Sequence, residues 1–212
     1  MREVATTPPL IWRGAAPLVL ASRSESRRAL LSAAGLDAEC VAPDLDERAV
    51  EDGYLASGGS LEDVALELAQ AKALAVSAER PDAYCIGADQ TLTLEGRIFH
   101  KSRDLAEGAQ TLALLSGKTH RLTSAFCVAR AGKALVVHRD HADVRMRVLD
   151  PGEISRYLER AGQSVLASVG AYQGEGLGVH LFERIEGDHS VVLGLPMLSL
   201  LAWLRHENLI SL

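Results

Sequence analysis

Two long β-type runs, residues 121–131 and 134–148, meet at Ala131-Gly132-Lys133. Gly at that junction marks a hairpin turn, so any sheet this chain builds must carry a long antiparallel pair. The first half has the opposite character. An apolar strand at 18–21 runs into a helical pattern over 25–34, with Gly35 at the C-cap position. A second strand near 39–42 leads into the acidic loop Pro43-Asp44-Leu45-Asp46-Glu47, and the Gly- and Ser-rich residues 53–59 read as a loop. In 61–79, Leu61, Val64, Ala65, Leu68, Ala71, Lys72 and Ala75 recur at helical spacing behind a Ser60/Asp63 capping box.

Further on, 84–94 reads as a strand, 104–115 as a helix, and 151–161 as a helix with Pro151 in its first turn. A Gly-rich loop at 170–178, a strand at 180–185 and a helix at 195–206 close the chain. Alternating strands and helices followed by a hairpin predict an α/β fold whose mixed sheet is flanked by helices. The expected organisation is one domain over 17–212 behind a loose extension, residues 1–16.

Composition narrows the function classes. With 22 Lys and Arg against 28 Asp and Glu, the net charge is −6, which argues against a broad nucleic-acid-binding surface. A polyanion could still be held by a local cluster of cations, a metal, or both. No apolar run approaches the ~18–20 residues of a bilayer span, and prolines with Arg13 interrupt any signal-peptide stretch. No membrane association and a cytoplasmic chain are expected. Cys40, Cys85 and Cys127 are far apart and lack C-x-x-C spacing, so they read as reduced core thiols rather than zinc ligands.

Several short motifs invite chemistry. Ser116-Gly117-Lys118-Thr119-His120 falls short of a P-loop, because Leu112 stands where its first glycine is needed. His138-Arg139-Asp140 resembles a kinase tripeptide but sits in a strand with no Asp-Phe-Gly downstream. His138 and His141 read as surface residues. The glycines at 174, 176 and 178 lack dinucleotide-fold spacing; a close-approach loop and a nucleotide-contacting loop fit them equally.

Ser24, Arg27 and Arg28 lie where a buried strand enters a helix, a place that favours anions. Cations there oppose the helix dipole, and that conflict favours phosphate binding over a solvated basic turn. Asp89 ends the apolar run Tyr84-Cys85-Ile86-Gly87-Ala88, and serves either as a turn former or as a metal ligand or base. Lys72 faces the apolar side of its helix, where lysines are rare unless paired. Lys101 follows on the next loop. Either lysine alone could be a snorkelling side chain.

Together these segments resemble the Maf family of nucleotide pyrophosphatases. The resemblance runs from Leu18 to about Leu204 through LASRSESRRALL, Asp46-Glu47, AQAKA, IGADQ, FHK, LSGKTH and VGAYQGEGLGVHLFERIEGDHSVVLGLPM. It implies a two-lobed fold similar to the inosine-triphosphate pyrophosphatases, with a central cleft, a homodimer, Mg²⁺ or Mn²⁺ as cofactor, and cleavage between the α and β phosphates. By the same resemblance the proton-accepting aspartate is Asp89 and the phosphate-binding arginine is Arg27. Glu47 is the acidic partner, Lys72 and Lys101 are the two lysines, and Glu175 is the polar residue before Gly-Leu-Gly. Substrate choice falls on Ser26, Gln90 and Gln173. One branch prefers dTTP and UTP, another 7-methyl-GTP, and this chain has Asp89-Gln90 of the second without its aromatic residue or its lysine. Glu25 and Ser102 replace the family's usual prolines.

The expected activity is hydrolysis of a nucleoside triphosphate to the monophosphate and pyrophosphate, cleansing nucleotide pools and bearing on cell-division arrest. Asp89 and Glu47 would hold the metal or accept a proton from water. Ser24, Arg27, Lys72 and Lys101 would hold the phosphates, and Gln90 and Gln173 would offer amides to a base edge. The alternative is a non-catalytic nucleotide-binding regulator of septum formation.

Overall fold

A computed structural model describes residues 11–212. The first ten residues of the expected extension lie outside them. Residues 11–16 pack on the body: Trp12 bridges Ile210, its Nε1 donates to the Ala16 carbonyl at 3.0 Å, and its ring meets Tyr84 edge-on.

Seven strands form one mixed sheet: β1 (Leu18–Ala21), β2 (Glu39–Cys40), β3 (Tyr84–Leu94), β4 (Arg97–Phe99), β5 (Thr119–Arg130), β6 (Lys133–Met146) and β7 (Phe182–Glu186). Their order is β2-β1-β3-β5-β6-β7, with β4 also on β3. The β1 pairings are parallel and those of β3 with β4 and β5, β5 with β6, and β6 with β7 are antiparallel. The long hairpin read from the sequence is the β5–β6 pair.

The helices are α1 (Glu25–Ala33), α2 (Glu47–Ala56), α3 (Val64–Glu79, entered by a 3₁₀ turn Leu61–Asp63), α4 (Leu105–Leu115), α5 (Pro151–Ala161), α6 (His189–Val192) and α7 (Met197–His206). The expected loops hold at 43–46 and 57–59, but α2 takes in Glu47 and residues 53–56. Asp46 caps it by accepting from the Ala49 N–H at 3.0 Å, and Gly53 is tolerated inside it. The strand expected at 180–185 begins at Phe182, because Leu177–Leu181 turns as a 3₁₀ helix first. Cys40 is exposed on the edge strand β2, against its expected burial, whereas Cys85 and Cys127 are buried.

Alternation along β3 sorts the core. Ile86 and Ala88 join Phe126 and Val128 under α1 and α7, while Leu92 joins Leu122 and Val144 under α4 and α5. Gln90 and its cross-strand partner Ser124 divide these two clusters. The opposite face receives α3, whose Ala65, Ala69 and Ala73 lie on Ala125, Cys127 and Ala129. Alanines on both surfaces let helix and sheet approach closely.

One consequence of this register positions the site. The last β1–β3 pair is Ala21 with Gly87, and the first β4–β3 pair along that edge is Phe99 with Leu92. Because β5 covers the other edge throughout, residues 88–91 of β3 carry no strand on this side. A notch opens there in the middle of the sheet, at the carboxyl end of β1.

Candidate active site

Successive strand residues point to opposite faces, so the notch presents Asp89 toward α2 and α3 and Gln90 toward the α6 side. Asp89 is 8% exposed and Lys72 5%. Lys72 reaches from α3 to place its Nζ 2.5 Å from Asp89 Oδ1 and 2.9 Å from Glu47 Oε2. Glu47 is the first residue of α2, so the cap made by Asp46 fixes where this second carboxylate stands. The Asp46-Glu47 pair therefore divides its work: one residue starts the helix, the other faces the site. A buried lysine thus finds two anionic partners, which resolves the placement of Lys72 on an apolar helix face.

Gly87 makes the arrangement possible. A Cβ on Gly87 would lie 2.1 Å from the Ala69 carbonyl oxygen and 2.5 Å from the Ala73 nitrogen. Only a residue without a side chain lets α3 lie low enough on β3 for Lys72 to meet Asp89.

Arg27 enters the notch from the other side. Ser24 caps α1 by accepting from the Arg27 N–H. The guanidinium turns back from the helix: Nε donates to the Gly194 carbonyl at 2.8 Å, and Nη1 to the Ala88 carbonyl at 2.9 Å and the Ser22 hydroxyl at 3.3 Å. The Ala88 carbonyl belongs to the stretch of β3 that lacks a neighbouring strand. Burial lowers the pKa of Arg27, and the charges of Asp89 and Glu47 oppose that shift; an arginine so placed stays cationic at neutral pH. The cation read as opposing the helix dipole is thus held by carbonyls and by the field of two carboxylates.

Of the remaining candidates, Ser26 and Gln90 adjoin this centre as chain neighbours of Arg27 and Asp89, and Glu175 joins it through Ser26. Ser26 Oγ donates to Glu175 Oε1 at 2.7 Å, tying α1 to the Gly-rich loop. Gln90 Nε2 donates to Val191 O at 2.9 Å, Val192 O at 3.1 Å and Ser124 Oγ at 3.0 Å, while Ser124 Oγ donates to Val191 O. Its amide nitrogen is fully engaged in holding the turn that ends at Gly194, the residue on which Arg27 rests. Gln173 Nε2 donates to the Ser164 carbonyl at 3.2 Å. Lys101 is exposed and, among the described residues, forms no ion pair. It follows His100, which meets Arg48 and Glu51 on α2.

Sequence reasoning did not single out Ser22, Ser124 or the carbonyls of Ala88 and Gly194. Ser22 lies within the first quoted motif, but backbone acceptors leave no residue-type signal because any side chain can carry them. His138 packs its ring on Phe126 and His141 is exposed, away from any metal cluster; among the described residues no three His, Cys, Asp or Glu side chains gather as a ready metal cage. No helix among them is long and apolar enough to cross a membrane.

Two carboxylates, a lysine between them and an arginine opposite thus meet at the notch. The family model for Maf-like proteins matches residues 17–207. The 7-methyl-GTP pyrophosphatase of Mesorhizobium japonicum is 53% identical over 188 residues, covering 89% of this chain and 94% of its own. The nucleoside triphosphate pyrophosphatase of Bradyrhizobium diazoefficiens is 49% identical over 201 residues, 95% and 98% respectively. The 7-methyl-GTP pyrophosphatase of Brucella abortus is 51% identical over 194 residues, 92% and 98%. With its site residues lying inside a match of this extent, the chain belongs to the Maf family.

Proposed function

We propose that this chain is a nucleoside triphosphate pyrophosphatase whose reaction centre is the notch at residues 88–91. The observation that carries the proposal is the Glu47–Lys72–Asp89 triad standing beside Arg27 at the stretch of β3 that lacks a neighbouring strand. A triphosphate needs cations along its phosphates and a carboxylate at the attacked phosphorus.

Water attacks the α-phosphorus, a P–O bond forms to it, and the bond from that phosphorus to the bridging oxygen of pyrophosphate breaks. Asp89 takes the proton of the attacking water, and with Glu47 as its partner it would be the group to hold a divalent cation. Arg27 and Lys101 hold the polyphosphate, and Lys72 keeps both carboxylates fixed and offsets their charge. Ser24 starts α1 so that Arg27 faces the notch. Ser26, Gln90, Gln173 and Glu175 shape the nucleoside end.

The donor set fits Mg²⁺ or Mn²⁺. Asp89 and Glu47 stand close enough to share the Lys72 ammonium, and such ions are commonly held by one or two carboxylates with substrate phosphates completing the shell. A bound divalent ion would supply Lewis-acid stabilisation of the phosphoryl oxygens. We further read the protein as a cytoplasmic homodimer acting on free nucleotides. The relatives named 7-methyl-GTP pyrophosphatase make that nucleotide one candidate.

The test is pyrophosphate release from a panel of canonical and methylated triphosphates, with and without chelator. Asp89→Asn should stay folded and lose about a thousandfold or more in kcat; near-normal turnover would remove Asp89 from the centre. A regulator of septum formation that only binds nucleotide would bind the panel yet release no pyrophosphate.

A further inference from the structure

Resting on the pyrophosphatase reading, we propose that His120 and Tyr172 are positioning residues that hold the 173–178 loop against the nucleoside end of the notch. Both belong to motifs that the triad does not use. His120 closes the Ser-Gly-Lys-Thr-His stretch that fails as a P-loop, and Tyr172 directly precedes Gln173.

The two rings meet inside the protein, where His120 is 1% and Tyr172 5% exposed. His120 Nε2 and Tyr172 Oη are 2.5 Å apart. Burial lowers the His120 pKa to about 4 and pushes the Tyr172 phenol upward, so the contact is a hydrogen bond between neutral groups at neutral pH. The tyrosine has little freedom to move away. Phe182 stands edge-on to its ring at 4.9 Å, and a Cβ on Gly170 would fall 2.4 Å from its Cε1. The intervening Ala171 takes φ +54°, a left-handed conformation strained for a non-glycine residue.

From the anchor the chain runs directly into the loop. Gln173 bonds to Ser164, its carbonyl accepts from the Gly176 N–H at 3.2 Å, and a Cβ on Gly178 would lie 2.3 Å from that same oxygen. Glu175 at the loop tip then accepts from Ser26, one residue before Arg27. A continuous path of contacts leads from β5 through the buried pair to the mouth of the notch, on the side away from the Glu47–Lys72–Asp89 triad. The pair therefore governs how firmly the nucleoside is held rather than the chemical step.

Tyr172→Phe removes one oxygen and keeps the ring packing. The variant should raise KM for the best nucleotide about fivefold, the size given by loss of one neutral hydrogen bond. It should leave kcat within about twofold, flatten preference across the base panel, and leave inhibition by pyrophosphate unchanged. His120→Gln keeps a polar partner for the phenol and should lie between Tyr172→Phe and wild type; should Tyr172→Phe fail to fold, this variant carries the same readings. Wild-type turnover with unchanged KM and base preference in the variants overturns the proposal, as does an equal loss in KM and pyrophosphate inhibition. A wild-type chain that releases no pyrophosphate overturns the pyrophosphatase reading itself, and the pair's role with it.

Discussion

The Nζ of Lys72 stands 2.5 Å from Asp89 Oδ1, a contact between a helix and a strand that exists only because Gly87, two residues earlier on the same face of β3, has no side chain. Gly87→Ala would press a methyl group into the backbone of α3, and overpacking of that kind costs about 1–3 kcal/mol. The helix must lift, carrying Lys72 with it. A fall in urea midpoint together with at least a tenfold loss of kcat is expected, although Gly87 touches no ligand. Lost stability with full kcat would show that the triad tolerates a displaced α3.

Arg27 is held by its fork rather than by its charge alone. Nε and Nη1 satisfy carbonyls from two separate segments, Gly194 and Ala88. Arg27→Lys keeps the charge but gathers its three donors on one nitrogen, which cannot stand at both the Nε and the Nη1 positions that meet Gly194 and Ala88. The variant should lose about ten- to a hundredfold in kcat/KM with little change in net charge or fold; steady-state kinetics beside a circular dichroism spectrum would decide it. Activity equal to wild type would mean that a point charge suffices.

Stability should depend on pH through His120. Its folded pKa of about 4 lies below the ordinary 6.5 because burial disfavours the imidazolium, with Asp143 opposing. Between these values the unfolded chain binds a proton that the folded chain refuses. Stability is therefore complete above about 6.5 and declines as pH falls toward 4. The difference amounts to up to about 3 kcal/mol. Urea titrations at pH 7.5 and pH 4.5 should reveal it, and His120→Gln should flatten the slope across that window.

The three thiols should behave unequally. Burial raises Cys85 to about 11 and Cys127 to about 12, so neither offers thiolate at neutral pH, whereas Cys40 is exposed on β2. Ellman's reagent should titrate one thiol in the native protein and three in denaturant. Two rapid native equivalents would show that a core cysteine opens to solvent.

Much of the fold could be read from the chain because its strong patterns are local. The β5–β6 hairpin follows from its turn glycine, α5 from Pro151 in its first turn, and β3 from the apolar run that leads to Asp89. α2 escaped notice because its glycine and serine content resembles a loop, and its helix depends on the Asp46 cap and on packing against α3. Cys40 looked like a core residue because short-range hydropathy does not distinguish a central strand from an edge strand.

The residue types of the site were likewise legible. A carboxylate closing an apolar run, a lysine on an apolar helix face and an arginine in a first turn each conflict with local preference, and such conflicts mark chemistry. What sequence alone could not decide was their meeting. Asp89 and Lys72 are 17 positions apart and Arg27 and Gly194 are 167 apart. Their approach depends on where β1 and β4 stop along one edge of β3, and strand ends and sheet register are set by the packing of the whole domain rather than by any local run of residues.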